Sequence, residues 1–136
     1  MEEKKDRHKI GKYARSKGKR GELDWVHFLK ENGFPNARRS VQYNGRPGTA
    51  ADVVGLQYLH MEVKNVERLN IRKAMEQAER DSEAEYNRTG WREMPVVIHK
   101  NPRHGWLVTM NALDFLALYK AYAPFSTLRE ERDNED

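Results

Sequence analysis

The segment Tyr58-Leu-His-Met-Glu-Val-Lys64 alternates apolar and polar side chains. A period of two belongs to a β-strand, whose successive side chains point to opposite faces. His60, Glu62 and Lys64 therefore share one face, and Leu59, Met61 and Val63 share the other, which is expected to be the core face. A strand in the middle of a sheet is usually apolar on both faces. An acid and a lysine side by side on such a strand call for a chemical reason. The stretch Asp52-Val-Val-Gly55 is a second strand, joined to the first by a tight connection near Gly55–Gln57. Folded as an antiparallel hairpin, the two strands bring Asp52 back beside Glu62. The small residues Ala50 and Ala51 leave space next to it.

The segments around this hairpin set the fold class. Glu22, Trp25, Val26 and Leu29 fall on one stripe at helical spacing, which predicts a helix from about Lys19 to Asn32 with Ser16 as a candidate cap. Gly33 and Pro35 stop it. Ala37–Gln42 is expected to be a strand, and Tyr43–Thr49 a loop rich in turn formers. Residues 70–88 form an amphipathic helix with Ile71, Ala74, Met75, Ala78 and Ser82 on its buried face. Strands follow at Pro95–His99 and Trp106–Met110, separated by the turn Asn101–Gly105. Asn111 is placed to cap a last helix that reaches about Tyr122 and is ended by Pro124. This order predicts an α/β fold, a single domain with a central mixed β-sheet flanked by helices. The domain is expected to span 16–123, with 1–15 a flexible basic arm and 124–136 an acidic tail.

A chain of 136 residues has room for one such domain and not for two full cores. No apolar run approaches the roughly 18 residues of a membrane-spanning helix, so no membrane partner is expected. The N-terminus lacks the apolar core of a signal peptide, and cysteine is absent. These features rule out a disulfide framework and a thiolate metal site, and make an intracellular setting the default. Charge is unevenly spread: residues 1–20 hold nine Lys or Arg against three acids, and residues 129–136 hold two Arg against five. A basic arm suits a polyanion such as DNA, because each phosphate contact releases condensed counterions. A solvated tail would carry the same composition.

A carboxylate and an ammonium on one strand face, with a second carboxylate beside them, can hold a divalent cation and a water together. Magnesium takes oxygen ligands, and one or two carboxylates with substrate phosphates satisfy it. Glu22 is a third acid, on a stripe that should face the core. A carboxylate there is costly unless it is paired or bound to metal. Taken one at a time, each residue also has an ordinary structural reading. Glu62 and Lys64 would be an exposed ion pair on an edge strand, Asp52 a turn residue and Glu22 a helix-start acid.

Glu22, then Asp52, then Glu62-Val63-Lys64, in this element order, resembles the PD-(D/E)XK nuclease superfamily with its restriction-endonuclease-like αβββαβ core. Within it the chain looks most like the archaeal-type Holliday-junction resolvases, including versions carried by phages. Shared features are Lys17-Gly-Lys-Arg-Gly-Glu22 opening the first helix, Arg38-Arg39-Ser40, and Ala51-Asp-Val-Val54 before Met61-Glu-Val-Lys64. Ala51 stands where the motif's name has proline. The resemblance implies a magnesium-dependent endonuclease that resolves four-way junctions by paired symmetric nicks, with manganese able to substitute and no nucleotide cofactor. Glu22, Asp52 and Glu62 would bind the metal and Lys64 would orient the attacking water or stabilise the transition state. Gln77 matches a helix glutamine of related nucleases that supports such a lysine or the water.

Lys17, Lys19, Arg20, Arg38, Arg39, Ser40 and Arg46 are candidate contacts to the DNA backbone, since Arg binds phosphate bidentately. Lys100 and Arg103, with His104, can extend that surface, and a plain polar turn explains them equally. The five histidines show no zinc spacing. A packing or surface role is expected for His60 although it shares the face of Glu62. The last helix is apolar around much of its circumference, which favours a homodimer. Two other readings remain open at this point: a restriction, flap or repair nuclease on the same fold, and a DNA-binding module without catalysis.

Overall fold

The computed structural model describes residues 2–40, 48–101 and 103–135, with side chains over 9–40, 48–101 and 103–124. The chain runs α1 (Glu2–Glu31), β1 (Arg38–Arg39), β2 (Val53–Val54), β3 (Leu59–Lys64), α2 (Ile71–Thr89), β4 (Met94–Lys100), β5 (Trp106–Met110) and α3 (Ala112–Glu135). The strands form one five-stranded sheet in the order β1-β2-β3-β4-β5. Among the described residues only β3 and β4 run parallel, because α2 carries the chain back between them, and the other neighbours are antiparallel. The expected mixed α/β sheet flanked by helices is the observed fold.

Helices cover the middle of the sheet on both sides. Trp25, Val26 and Leu29 of α1 pack with Val53, Met61, Val63, Val96 and Ile98. Ala74, Met75 and Ala78 of α2 pack against Val97 on the opposite face. The stripe expected for α2 is the buried one, ending at Ser82. Asn70 caps its start by accepting the Lys73 N–H, and Gly90 at φ 78° closes its end. Because α2 covers the face that carries His60 and Glu62, both residues are buried. The polar face of β3 is therefore an interior face.

Two helix boundaries differ from the sequence expectation. The first helix begins near the chain's start rather than at Lys19, so residues 2–15 are helical and Ser16 is not a cap. Between Lys9 and Arg20 this helix has no buried residue, and burial starts at Gly21. Periodicity reports packing, so a stretch with no buried residue carries no apolar stripe even when Lys and Arg favour the helix. At the other end α3 passes through Pro124 instead of stopping there. Proline removes one backbone donor from the ladder, and the helix continues past the gap. Among the described residues no helix is long and apolar enough to cross a membrane.

Candidate active site

The β2–β3 hairpin brings the two central acids together. Val53 pairs with Met61, and the Asp52 N–H donates to the Met61 carbonyl at 3.0 Å. That register sets Asp52 across from Glu62 on the α2 side of the sheet, near enough for the charge of Glu62 to act on the Asp52 carboxyl. The connection is tight because Gly55 takes φ 118°, where an added Cβ would lie 2.6 Å from the Ala37 Cα. Tyr58 also has positive φ, at 74°. That is unusual for a bulky residue. It sits at the foot of β3, where its carbonyl accepts the Met94 N–H at 2.7 Å and starts the parallel pairing.

Each acid has a donor of its own. Asp52 Oδ2 accepts the Val63 N–H at 2.9 Å. Glu62 Oε1 accepts from His60 Nε2 at 2.9 Å, between two buried side chains. Glu22 accepts from Arg39 Nε at 2.7 Å. Burial pushes the Asp52 carboxyl up to about 7, helped by the charge and hydrogen bond of Glu62 and, more weakly, by Glu22, against the lowering effect of the Val63 N–H. For His60, burial acts to lower the pKa. The hydrogen bond and charge of Glu62, with Glu93 and Asp81 adding, outweigh it and raise the value above that of an ordinary histidine.

Lys64 lies at the rim, where its Nζ donates to Gln77 Oε1 of α2 at 3.1 Å. The expected pairing of Gln77 with the lysine is thus present. Asn65 follows, with its Nδ2 donating to the Lys17 carbonyl at 3.0 Å. Gly21 packs so closely here that a Cβ would lie 2.7 Å from the Asn65 Cβ. This contact sets α1 against the end of β3 and brings Glu22 near enough for its charge to reach Asp52.

Three ligand atoms of His60, Glu62 and Asp81 lie within 4.8 Å of one another, one nitrogen and two carboxylate oxygens. Such a donor set fits a divalent cation. Sequence reasoning assigned His60 to packing and missed Asp81. Asp81 follows Ala78 by three residues, so the same helical spacing that marks the buried face of α2 would have placed it over β3. The acids expected as ligands come together only in part. Asp52 and Glu62 meet, whereas Glu22 is engaged by Arg39. A cleft of about 660 Å³ lies away from Lys64, towards the starts of β3 and β4, and is lined by Tyr58, Ser82, Tyr86, Arg92 and Glu93 among others. None of Asp52, Glu62 and Lys64 lines it.

The basic candidates lie on α1, β1, β4 and the turn after β4. Lys17 is half-buried beside Asn65, and Lys19 and Arg20 are exposed. Arg38 is exposed on β1, and the Ser40 N–H donates to the Asp52 carbonyl at 2.9 Å. Lys64 pairs in register with His99, so Lys100 and the turn holding Arg103 leave the sheet at the same end. Lys100 Nζ lies 5.3 Å from the centre of the Trp106 ring, a cation–π contact. Arg46 lies outside the described residues.

Sheet order and helix placement fit the restriction-endonuclease-like fold class. Within that class the chain is similar to Hjc, a Holliday junction resolvase from the archaeal hyperthermophile Archaeoglobus fulgidus. The likeness has 26% identity and a TM-score of 0.50, over 68% of this chain and 76% of that one. No family model matches the chain, and a search of curated proteins found no match.

Proposed function

We propose that this chain is a magnesium-dependent endonuclease of branched DNA, and that it resolves four-way junctions by two symmetric nicks. The observation that carries the proposal is the meeting of Asp52 and Glu62 across the hairpin, beside a lysine held by Gln77. The likeness to a Holliday junction resolvase supports the choice of substrate.

Asp52 and Glu62 would hold the cation, with Glu22 as a third ligand on release from Arg39. When bound, a divalent ion supplies a water of lowered pKa and offsets charge on the scissile phosphate. Asp52 holds its proton up to about pH 7, so cation binding at lower pH must release it. The Lys64 amine, steadied by Gln77, faces the phosphate and stabilises the charge that grows in the transition state. Lys17, Lys19, Arg20, Arg38, Ser40, Lys100 and Arg103 surround the rim as phosphate contacts, which position DNA without reading its sequence. Leu113, Phe115, Leu116, Tyr119 and Tyr122 of α3 and Leu107 and Val108 of β5 are exposed. They are the proposed homodimer surface, and an isologous dimer suits a substrate with two-fold symmetry.

The test is incubation with labelled four-way junctions, flaps, splayed arms and linear duplex, in magnesium and in EDTA. Paired symmetric nicks confined to junctions and lost in EDTA are expected. Cutting of flaps or duplex with equal efficiency would replace the substrate assignment. Gel shifts without cleavage in magnesium would reduce the protein to a binder.

A further inference from the structure

The cluster behind Glu62 assigns a role to His60. We propose that His60 is a positioning residue, whose imidazole fixes the Glu62 carboxylate beside Asp52 and thereby sets how tightly the site takes a divalent cation. The inference rests on Glu62 being a ligand of that cation.

His60 and Glu62 are two residues apart on one face of β3, and their 2.9 Å contact is sealed from solvent: His60 is 0% and Glu62 4% exposed. A carboxylate accepts and does not donate, so Nε2 carries the hydrogen. Nδ1 is buried and has no hydrogen-bond partner among the described residues. Packing alone gives no reason for an imidazole here. An apolar side chain would fill the same space without an unsatisfied nitrogen, which is costly in an interior. Among the described residues the ring makes one polar bond, to Glu62. Asp81 closes the other side of the cluster, with its carboxylate within 4.8 Å of both ligand atoms. Glu62 has three side-chain torsions, and without a donor its oxygens would not be held for a cation. Groups that orient a metal ligand typically change metal affinity by about 10- to 100-fold when removed.

The test compares His60→Gln with His60→Asn in the DNA-free protein. The glutamine amide reaches the place of Nε2, and the shorter asparagine amide does not reach Glu62. Both variants bury an amide, so damage to the interior is common to the two. Manganese binding is followed by electron paramagnetic resonance, with a thermal melt of each variant as a folding control. His60→Gln is expected to keep its affinity within about threefold of the parent, and His60→Asn to weaken it about 10- to 100-fold. Equal affinities in the two variants overturn the proposal. If both match the parent the imidazole has no such role, and if both fall alike it ligates the ion directly or only fills space. Should the asparagine variant not fold, the glutamine variant decides, and a loss beyond about tenfold in a folded protein contradicts positioning. No DNA enters the measurement, so its failure is distinct from a failure to cut junctions.

Discussion

Lys64 and Asp52 are the residues where the chemistry is most exposed to test. Lys64→Ala removes a cation that serves the transition state more than the ground state, so junction cleavage should fall by about 10²–10³-fold. Junction affinity measured by gel shift in calcium should stay near that of the parent. Gln77→Ala leaves the amine in place without its 3.1 Å partner, and a loss of roughly tenfold is expected. A loss larger than that of Lys64→Ala would mean that Gln77 acts other than through Lys64. Asp52 gives a pH signature. Its folded pKa, about 7, lies above the ordinary 3.8, so between these values the native state binds the extra proton. The Asp52 contribution to stability of the metal-free protein should therefore decline as pH rises from about 4 to 7, by linkage. Asp52→Asn should flatten that slope in thermal melts run with EDTA. An unchanged slope would mean that other groups carry it.

At the scale of elements, the hairpin is the part whose geometry the site cannot spare. Gly55→Ala would place a methyl 2.6 Å from the Ala37 Cα at a positive φ, and should cost about 2 kcal/mol or more in urea unfolding. Cleavage should fall with it, because the register that sets Asp52 across from Glu62 depends on this turn. Much of this element was legible beforehand. Alternation in Tyr58–Lys64 and the tight connection at Gly55 suffice to put Asp52 beside Glu62, and helical spacing suffices for the buried face of α2. What the sequence hid has physical causes. Residues 9–20 of α1 include no buried residue and so carry no stripe. Pro124 is a helix stop in most contexts but was tolerated within α3. The burial of His60 and Glu62 depends on α2 lying over β3, a long-range fact that no local pattern encodes. Asp81 stayed unseen although the spacing of the buried face of α2 places it over β3, because only the packing of α2 on β3 joins it to Glu62. The pairing of Glu22 with Arg39 likewise joins residues of α1 and β1 that only the folded chain brings together.

At the scale of the whole molecule, α3 and β5 present apolar surface, with Leu113 at 81% exposure. Large apolar patches on a folded protein mark interaction sites. The wild-type protein is expected to sediment as a dimer, and the pair Leu113→Arg and Leu116→Arg to sediment as a monomer with an unchanged melting profile of the domain. A monomeric parent at micromolar concentration would remove the dimer from the account. The rim joins both scales, since Lys17, Lys64 and Lys100 sit at one end of the sheet and would face the same stretch of DNA. The claim on which all else depends is that Asp52 and Glu62 share one divalent cation. The most direct measurement is anomalous diffraction from a crystal containing manganese. The account predicts a peak within about 2.2 Å of a carboxylate oxygen of each residue, the distance expected for a small oxygen-bound dication. A manganese peak held by Asp81 and His60 with no contact to Asp52 would contradict it.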